Sequence, residues 1–370
     1  MKLLFFIDTL GVGGAERVVA NLASILSNRG HDVTISVNKT LLAFDVSEKV
    51  NIVYARKETA ATQGKGAVKL IRRLRNFMSY FSHVKGIIKS SQPDVIISFM
   101  HCNLFQILLY HHGIPVVSSE RTAMDNKWDS IGKKLLFTCN KFADGVTVLT
   151  QYDKGYAIAK GLKNVVVIPN PLTWPVIDEQ EFEESFTARK NILACGRVHA
   201  WHVKGFDLLI KAFALIAKKY PDWSIDIAGG GNEASFQAMR KMAEDNGVGE
   251  RINFLGLQKN VREVMIKHSI FVLSSRIEGF PNALSEAMTS GMAVVSYDRL
   301  ANSIINDTID GLLVENQNIE KLANAMGKMI QNQELRYQLG KNAIKNINRF
   351  SMSNVVEKWE LLFESLINKR

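Results

Sequence analysis

The sequence has no long apolar segment and few cysteines. None of its apolar runs approaches the roughly 18–20 residues that a membrane-spanning helix needs. The apolar start, Lys2–Ile7, is interrupted by Asp8 and has no small-residue cleavage site, which predicts a first strand and not a signal peptide. The three cysteines, Cys102, Cys139 and Cys195, are widely spaced and odd in number. That usage favours reduced core thiols in a cytosolic protein over a disulfide framework.

The sequence also lacks the patterns of a metal site. No Asp-x-Asp pair occurs, and His101, His111 and His112 have no third ligand at metal-binding spacing. We therefore expect no metal and no other cofactor.

Size and composition are those of a soluble globular protein with two domains. The hydrophobic content of 46% and the charged content of 22% are ordinary for that class. A chain of 370 residues is too long for one ordinary core, so two domains are expected.

Acidic residues are absent between Glu58 and Asp94, whereas cations and apolar residues are frequent there. Apolar residues recur every three or four positions from Val68 to Ile88, which predicts a basic amphipathic helix. One interpretation is a core-packed helix with a solvated basic rim. The other, favoured by the absence of acidic residues, is peripheral contact with an anionic membrane surface. Nucleic acid would use the same charge, but no nucleic-acid-binding motif accompanies it. The predicted membrane-contacting cations are Lys65, Lys69, Arg72, Arg73, Arg75, Lys85 and Lys89.

The N-terminal residues follow a strand, glycine-loop, helix pattern. A buried strand over Met1–Asp8 precedes a loop with Gly11, Gly13 and Gly14, and an amphipathic helix follows. The loop lacks a third glycine at the usual place, and the next predicted strand, 32–37, ends without the carboxylate that an NAD ribose requires. An NAD site is therefore disfavoured, and what remains is a loop whose backbone can approach a ligand closely.

Further buried strands recur at the spacing of α/β units in both halves of the chain. A proline-rich segment, Asn170–Pro175, and the acidic residues after it mark a domain boundary. We expect an N-terminal Rossmann-like domain at 1–170, a linker at 171–190 and a second Rossmann-like domain at 191–351, with parallel sheets facing each other across a cleft. The predicted strands are 94–99, 115–119, 145–149 and 165–168, and then 192–195, 223–228, 252–255, 270–273, 293–296 and 312–314.

The most informative stretch leads from the predicted strand 270–273 into a helix that begins near Pro281. Proline suits the first helical turn, where its missing N–H group is no loss, and the N–H groups of 282–284 are then predicted to be free for an anion. Glu278 precedes this helix start and Glu286 follows it. A phosphate site between two carboxylates suits a ligand with a central diphosphate and hydroxyl-rich groups at both ends, namely a sugar nucleotide.

Two cations are predicted at the same sheet edge. Arg197 and Lys204 lie in the loop after the first strand of the second half, and the helix start at 281–284 belongs to the same edge. Fixed cations and amides stabilise the charge that develops on a departing nucleoside diphosphate. This arrangement predicts a diphosphate clamp that needs no metal.

Over nearly its whole length the chain resembles the family 4 retaining glycosyltransferases, which have the GT-B architecture of two Rossmann-like domains. The resemblance rests on Gly13–Arg17, Ile168–Asn170, Gly196–Arg197 with Lys204–Gly205, and the Glu-x7-Glu element from Glu278 to Glu286. Within that family the chain is similar to bacterial enzymes that extend lipid-linked surface oligosaccharides.

The resemblance implies a role for each site residue. Arg197 and Lys204 would hold the donor diphosphate, Glu286 the ribose, Glu278 the transferred sugar, and 254–257 the nucleobase. Where relatives often carry a histidine, this chain has Arg121 beside Glu120, and the last helix, 352–370, would cross back onto the first domain. The catalytic candidates are Glu278, Arg197, Lys204, Glu120 and Arg121. The donor-binding candidates are Gly13, Gly14, Arg197, Lys204, Leu255, Glu278, Gly279, Phe280, Pro281, Asn282, Ala283 and Glu286.

The implied activity is retaining, metal-independent transfer of a hexose or N-acetylhexosamine from a UDP-sugar to a lipid-diphosphate-linked glycan. We expect same-face attack, in which the leaving phosphate takes the acceptor proton. The expected protein is a cytoplasmic monomer, peripheral on the inner face of the plasma membrane, with no nucleic-acid partner. Two alternatives are transfer to a soluble small-molecule acceptor and a non-catalytic protein that binds nucleotide sugars.

Overall fold

The computed structural model of the chain describes residues 1–11, 13–55, 67–125, 131–187 and 189–369. The chain divides into two compact units, one formed by Met1–Asn170 with Met352–Arg370 and the other by Pro171–Ser351. Each unit contains a parallel sheet with helices, and the predicted α/β class is confirmed.

The first unit is built on a parallel sheet. Its described strands are β1 (Lys2–Ile7), β2 (Asp32–Val37), β3 (Asn51–Tyr54), β4 (Val95–Phe99), β5 (Val116–Ser119), β6 (Gly145–Val148) and β7 (Val165–Val167), in the order β3-β2-β1-β4-β5-β6-β7. In β1, Phe5 and Phe6 are both fully buried and belong to separate apolar clusters on the two faces of the sheet. Burial on both faces explains why this central strand is a continuous apolar run.

The helices of the first unit provide the other half of both clusters. In its described part they are α1 (Gly14–Asn28), α2 (Ala67–Ser91), α3 (Leu104–Tyr110), α4 (Ile131–Cys139), α5 (Gln151–Ala159) and the C-terminal helix (Met352–Ile367). The C-terminal helix inserts Trp359 into the core, where the ring lies 6.1 Å from Phe99 and 5.6 Å from Phe363. This helix therefore packs on the first unit although it follows the second in the sequence.

The second unit has its own parallel sheet. Its described strands are β8 (Lys190–Cys195), β9 (Ile225–Ala228), β10 (Ile252–Gly256), β11 (His268–Leu273), β12 (Ala293–Tyr297) and β13 (Leu312–Val314), in the order β10-β9-β8-β11-β12-β13. The described helices are α6 (Glu179–Phe186), α7 (Trp201–Lys204), α8 (Phe206–Ile216), α9 (Glu233–Asp245), α10 (Val261–Ile266), α11 (Asn282–Thr289), α12 (Asp298–Ala301), α13 (Ile319–Gln331) and α14 (Gln333–Ile347). The carboxyl ends of β8 and β11, the two neighbouring central strands, carry the predicted site residues.

Segment 171–190, predicted as a linker, is instead largely part of the second unit. Asp178 caps α6 by accepting a hydrogen bond from the N–H group of Glu181 (2.8 Å), and the acidic residues of the first turn suit a helix start. Phe182 is 1% exposed and its ring lies 5.5 Å from that of Tyr337 on α14. The proline and charge pattern marked the boundary, but the buried phenylalanine fixes the acidic segment to the second core.

Candidate functional site

The residues that connect β11 to α11 form the predicted loop, but the helix start differs from the prediction. α11 begins at Asn282, directly after Pro281. The N–H group of Asn282 donates to the carbonyl oxygen of Phe280 (2.9 Å), and that of Leu284 donates to the oxygen of Pro281 (3.0 Å). The prediction that the N–H groups of 282–284 are all free for an anion is therefore wrong for these two residues, because the turn at the proline bonds them internally.

Glu278, in this loop, forms an ion pair with Lys204 at the end of α7. The Lys204 Nζ atom lies 2.7 Å from Glu278 Oε1, and the two side chains are 21% and 14% exposed. The Ser275 hydroxyl donates to the same carboxylate oxygen at 2.7 Å. Two donors thus fix the orientation of the carboxylate, while the ammonium group has three N–H donors in all and is partly open to solvent.

Two glycines give the Lys204 side chain its path across the strand ends. A Cβ atom on Gly196 would lie 3.1 Å from both Cγ and Cδ of Lys204, and one on Gly229 would overlap the carbonyl oxygen of Gly196. The chain after β9 therefore approaches the chain after β8 too closely for a side chain at Gly229, whereas beside Gly196 the space is taken by the Lys204 side chain. The aliphatic part of Lys204 runs over Gly196 and delivers the ammonium group to Glu278.

Arg197 lies two residues after β8, at the exposed start of the 3-10 helix Val198–Ala200. It is at the same carboxyl edge of the sheet as Lys204. That it joins Lys204 in a diphosphate clamp stays a prediction.

Glu286 lies within α11 and has a partner of its own. It is 8% exposed, and the Thr173 hydroxyl donates to its Oε1 atom at 2.6 Å. Burial and, second, the charge of Glu286 raise the pKa of the Cys195 thiol at the end of β8. The two predicted carboxylates therefore occupy different surroundings, one paired with a lysine and the other with a threonine that the sequence pattern did not indicate.

Leu255 belongs to β10 and is partly exposed, with the carbonyl oxygen accepting a hydrogen bond from Gln258 Nε2 (2.5 Å). A surface pocket of about 490 Å³ lies beside this segment and is lined by Leu255, Leu257, Gln258 and residues of α10. Leu257, one of the residues that line the pocket, is 81% exposed. The predicted nucleobase contact at 254–257 thus lies beside an open pocket.

In the first unit, the predicted glycine loop leads directly into α1. The helix begins at Gly14, and Gly13 is extended. A Cβ atom on Gly13 would overlap the carboxylate of Glu16, so this side chain is folded back over the helix start. The positive end of the α1 dipole therefore already faces an anion, and a bound phosphate would have to displace the Glu16 side chain.

Glu120, directly after β5, is buried and held by two side chains. Its Oε1 atom lies 2.7 Å from His101 Nε2 and accepts a hydrogen bond from Asn140 Nδ2 at 3.0 Å. His101 follows β4, and Met100 and His101 both have a left-handed backbone, with φ of 54° and 59°. Neither partner was predicted, because both are distant in sequence: Asn140 lies 20 positions from Glu120, and His101 comes near it only through the parallel pairing of β4 with β5.

The neighbouring Arg121 is buried in the packing of the first unit. Its guanidinium donates to the Ser119 hydroxyl, to the Ile168 carbonyl and to Asn170 Oδ1 at 2.9–3.2 Å. It also lies 5.3 Å from the centre of the Trp359 ring. Burial lowers the pKa of Arg121 to about 9. These contacts give Arg121 a structural role that the sequence pattern did not indicate, and a catalytic role for it stays a prediction.

The predicted basic helix is confirmed as α2, which covers residues 67–91. Of the predicted membrane-contacting cations, Lys65 and the side chains of Lys69, Arg72 and Arg73 lie outside the described residues, whereas those of Arg75, Lys85 and Lys89 are exposed. Apolar residues on the opposite side of α2 enter the core of the first unit; these are Val84, Ile87 and Ile88. The described part of α2 is thus core-packed on one side and basic on the other.

The described residues contain neither a candidate membrane span nor a candidate metal-ligand cluster. No helix in the described ranges has both the length and the apolar content to cross a membrane. Nor does any group of three or more His, Cys, Asp and Glu side chains among those residues have a geometry that could hold a metal ion.

Two family models match the chain in succession. Residues 12–173 match the model of Glycosyltransferase Family 4, and residues 176–346 match that of Glycosyl transferases group 1. Between them the two matches span most of the chain.

The chain is also similar to individual glycosyltransferases. The chain is similar to an uncharacterized glycosyltransferase of Haemophilus influenzae, with 27% identity over 377 residues that cover 97% of this chain and 99% of the relative. It is also similar to the Campylobacter jejuni GalNAc-alpha-(1->4)-GalNAc-alpha-(1->3)-diNAcBac-PP-undecaprenol alpha-1,4-N-acetyl-D-galactosaminyltransferase, with 27% identity over 373 residues that cover 100% of this chain and 99% of that one. Among solved structures, a mutant of S. aureus TarM in complex with fondaparinux, alpha-GlcNAc-glycerol and UDP matches with a TM-score of 0.80 and 16% identity, over 98% of this chain and 99% of that chain. At 16% identity the match bears on the fold alone, and it establishes the GT-B fold.

Proposed function

The chain belongs to the glycosyltransferases of family 4, and we propose that it transfers a hexose or N-acetylhexosamine from a UDP-sugar to a lipid-diphosphate-linked glycan in bacterial surface polysaccharide assembly. The proposed transfer retains the anomeric configuration and needs no metal. The observation that carries the proposal is the ion pair of Lys204 and Glu278 at the carboxyl edge of the second sheet.

This pair supplies the two kinds of group that a sugar nucleotide needs. A carboxylate accepts hydrogen bonds from sugar hydroxyl groups, and an ammonium group stabilises the charge that grows on a leaving diphosphate. Because an ammonium group has three donors, Lys204 can keep its bond to Glu278 while it binds a phosphate oxygen. Exposed Arg197 at the same edge would add a second cation, and Glu286 would bind the ribose.

The proposed chemistry follows from that arrangement. The acceptor hydroxyl attacks the anomeric carbon from the face that the nucleoside diphosphate leaves, the glycosidic bond forms as the sugar–phosphate bond breaks, and the acceptor proton passes to the departing phosphate. Lys204 and Arg197 favour this step because they interact more strongly with the departing diphosphate than with the intact donor. No side chain is required as a base in this scheme.

The choice of donor and acceptor draws on the relatives. UDP is bound in the S. aureus TarM structure, and the Campylobacter relative is named for a PP-undecaprenol acceptor. A lipid-linked acceptor would lie at a membrane surface, and exposed Arg75, Lys85 and Lys89 on α2 would hold the first unit near anionic lipids. We therefore place the protein at the inner face of the plasma membrane.

The proposal is tested by a donor screen followed by turnover. UDP-, GDP- and ADP-sugars are compared for thermal stabilisation of the full chain, and the best donor is then incubated with an undecaprenyl-diphosphate-linked glycan and the product is analysed by mass spectrometry. We expect stabilisation by a UDP-sugar and one added sugar, with both strongly reduced in Lys204→Ala. Stabilisation by GDP- or ADP-sugars alone, or transfer only to soluble sugars, would contradict the proposal.

A further inference from the structure

Three consecutive carbonyl groups at the end of α7 are all bonded by residues that follow β11. The N–H group of Arg276 donates to the carbonyl oxygen of Val203 (2.8 Å), and its guanidinium donates to that of His202. The Ser274 hydroxyl donates to that of Lys204 (3.1 Å). The last carbonyl groups of any helix lack intrahelical partners, so a helix of four residues depends on outside donors to keep its position. The residues after β11 supply those donors.

The guanidinium of Arg276 also forms a two-pronged ion pair with Asp207, in the first turn of α8. Both N–O distances are 2.7 Å, and the side chains are 17% and 9% exposed. Burial opposes ionisation of Asp207, but the hydrogen bonds and the charge of Arg276 outweigh it and lower the pKa of Asp207. The pair therefore places a cation at the carboxyl end of α7 and an anion at the amino end of α8, as the helix dipoles favour.

Gly205 alone separates α7 from α8. Its φ of +64° is in the left-handed region, and a Cβ atom there would overlap the carbonyl oxygen of Ser274. The residue next to Lys204 thus touches the backbone that continues from β11. Residues 202–207, which include Lys204, are thus joined to residues 274–276, which lead to Glu278. The connection consists of hydrogen bonds, an ion pair and a close backbone contact.

We infer that Arg276 and Asp207 are positioning residues that fix the Lys204 ammonium group against Glu278; the inference rests on the proposed function as far as donor binding is concerned. A lysine side chain rotates about four bonds, so the position of its backbone decides which points the ammonium group can reach. The described bonds of Arg276 go to the backbone of α7 and to Asp207, and its action on Lys204 is therefore indirect. Arginine is required because lysine cannot bridge a carboxylate and a carbonyl with one planar fork.

The first test measures the Lys204 amine in the full chain with no donor present. Each lysine is acylated by an N-hydroxysuccinimide ester, and labelling is followed by mass spectrometry with the exposed Lys211 of α8 as an internal reference. Arg276→Lys is expected to raise the labelling rate of Lys204 about threefold, because the displaced Lys204 forms a weaker ion pair with Glu278. The matched control is Arg251→Lys, since Arg251 also donates to backbone carbonyl groups of the second unit, those of Ala217, Tyr220 and Trp223. That control should leave Lys204 labelling unchanged.

The second test measures UDP affinity by calorimetry. Lys204→Ala is expected to raise the Kd about thirtyfold, as for the loss of one charge-assisted hydrogen bond, and Arg276→Lys about fivefold. In the double variant the loss should equal that of Lys204→Ala alone, because Arg276 acts through Lys204. Asp207→Asn should weaken binding as Arg276→Lys does, and Arg251→Lys should lower the Tm without changing the Kd.

The outcomes separate the positioning role of Arg276 and Asp207 from the donor site of the proposed function. Unchanged Lys204 labelling in Arg276→Lys overturns the inference whether or not UDP binds. Single effects that multiply in the double variant also overturn it, since Arg276 then acts independently of Lys204. Tighter or unchanged UDP binding in Asp207→Asn would overturn the assignment of Asp207 as a positioning residue. A UDP Kd unaffected by Lys204→Ala would instead remove the donor site of the proposed function, and the labelling result would still decide the inference.

Discussion

Replacement of Gly205 by alanine tests how closely the position of Lys204 depends on the backbone contact between Gly205 and Ser274, the residue directly after β11. Gly205 has a φ of +64°, and an added Cβ atom would overlap the carbonyl oxygen of Ser274. The left-handed conformation costs an alanine roughly 1–2 kcal/mol. Relief of the overlap requires the two segments to separate, and forced overpacking adds about 1–3 kcal/mol. Because alanine also lowers the entropy of the unfolded chain by an amount worth about 0.5 kcal/mol, we expect a net loss of roughly 3 kcal/mol.

Gly247→Ala is the matched control. Gly247 lies in the same unit, follows a helix, and has a φ of +71°, but no atom lies within 4 Å of its added Cβ. It should lose only about 1 kcal/mol, the cost of the backbone conformation less the same effect on the unfolded chain. At about 3 °C per kcal/mol for a domain of this size, calorimetry should find the transition of the second unit lowered by ~9 °C in Gly205→Ala and by ~3 °C in the control. Equal shifts, or an unchanged UDP affinity in Gly205→Ala, would refute the reasoning.

Three further predictions concern other parts of the chain. Arg121→Met should destabilise the first unit by about 3 kcal/mol in calorimetry, because the buried oxygen atoms of Ser119, Ile168 and Asn170 lose the hydrogen bonds of a charged donor. Lost activity at an unchanged Tm would instead favour a catalytic role. Burial alone would raise the pKa of Asp226, but the hydrogen bonds from His268 and Asn253 outweigh the effect of burial, and the pKa of Asp226 is lowered. The contribution of Asp226 to stability is therefore complete above a pH of about 4 and is lost as the pH falls through its lowered pKa in the folded state. Asp226→Asn should accordingly flatten the acid limb of the curve of Tm against pH. An acid limb as steep as that of the wild-type protein would contradict this prediction. Replacing Arg75, Lys85 and Lys89 by glutamine should weaken binding to phosphatidylserine vesicles on the order of 100-fold, with binding to neutral vesicles as the control; unchanged sedimentation would contradict the membrane contact.

Most strands could be predicted from the sequence because their burial leaves a direct pattern. Parallel strands covered on both faces are continuous apolar runs, and 270–273 and 293–296 fall within β11 and β12. The exception is β3, at Asn51–Tyr54, which no pattern indicated. It is a short strand at the edge of its sheet, and its residues are exposed or only partly buried. Without full burial it has neither an apolar run nor a clear alternation.

The site was predictable where its residues follow neighbouring strands of one parallel sheet. Glu278 and Lys204 were expected near each other because both follow central strands of one parallel sheet, and their ion pair agrees with that reasoning. The free amides of 282–284 were expected from an idealised helix start, whereas the turn at Pro281 bonds two of them. A general rule for helix ends thus failed where the local turn offered closer acceptors.

Other long-range polar contacts left no signal in the sequence. The partners of Arg276 are spread over 202–207, about seventy positions earlier, and the bond from Thr173 to Glu286 spans 113 positions. Such pairs depend on strand order and on loop geometry, neither of which periodicity encodes. Arg121 illustrates the consequence, since its position after a strand predicted a site residue while its actual contacts are those of a buried structural arginine.

The most direct test of the central claim, that Glu278 binds the transferred sugar and Lys204 the diphosphate, compares UDP with a UDP-sugar in Glu278→Gln. At ~100 times its Kd a ligand adds about 2.7 kcal/mol to stability, a shift that calorimetry resolves readily. We expect the wild-type protein to bind the UDP-sugar more tightly than UDP, and Glu278→Gln to lose that difference while it still binds UDP. If Glu278→Gln bound the UDP-sugar with wild-type affinity, or lost UDP and UDP-sugar binding equally, the assignment of Glu278 to the sugar would be contradicted.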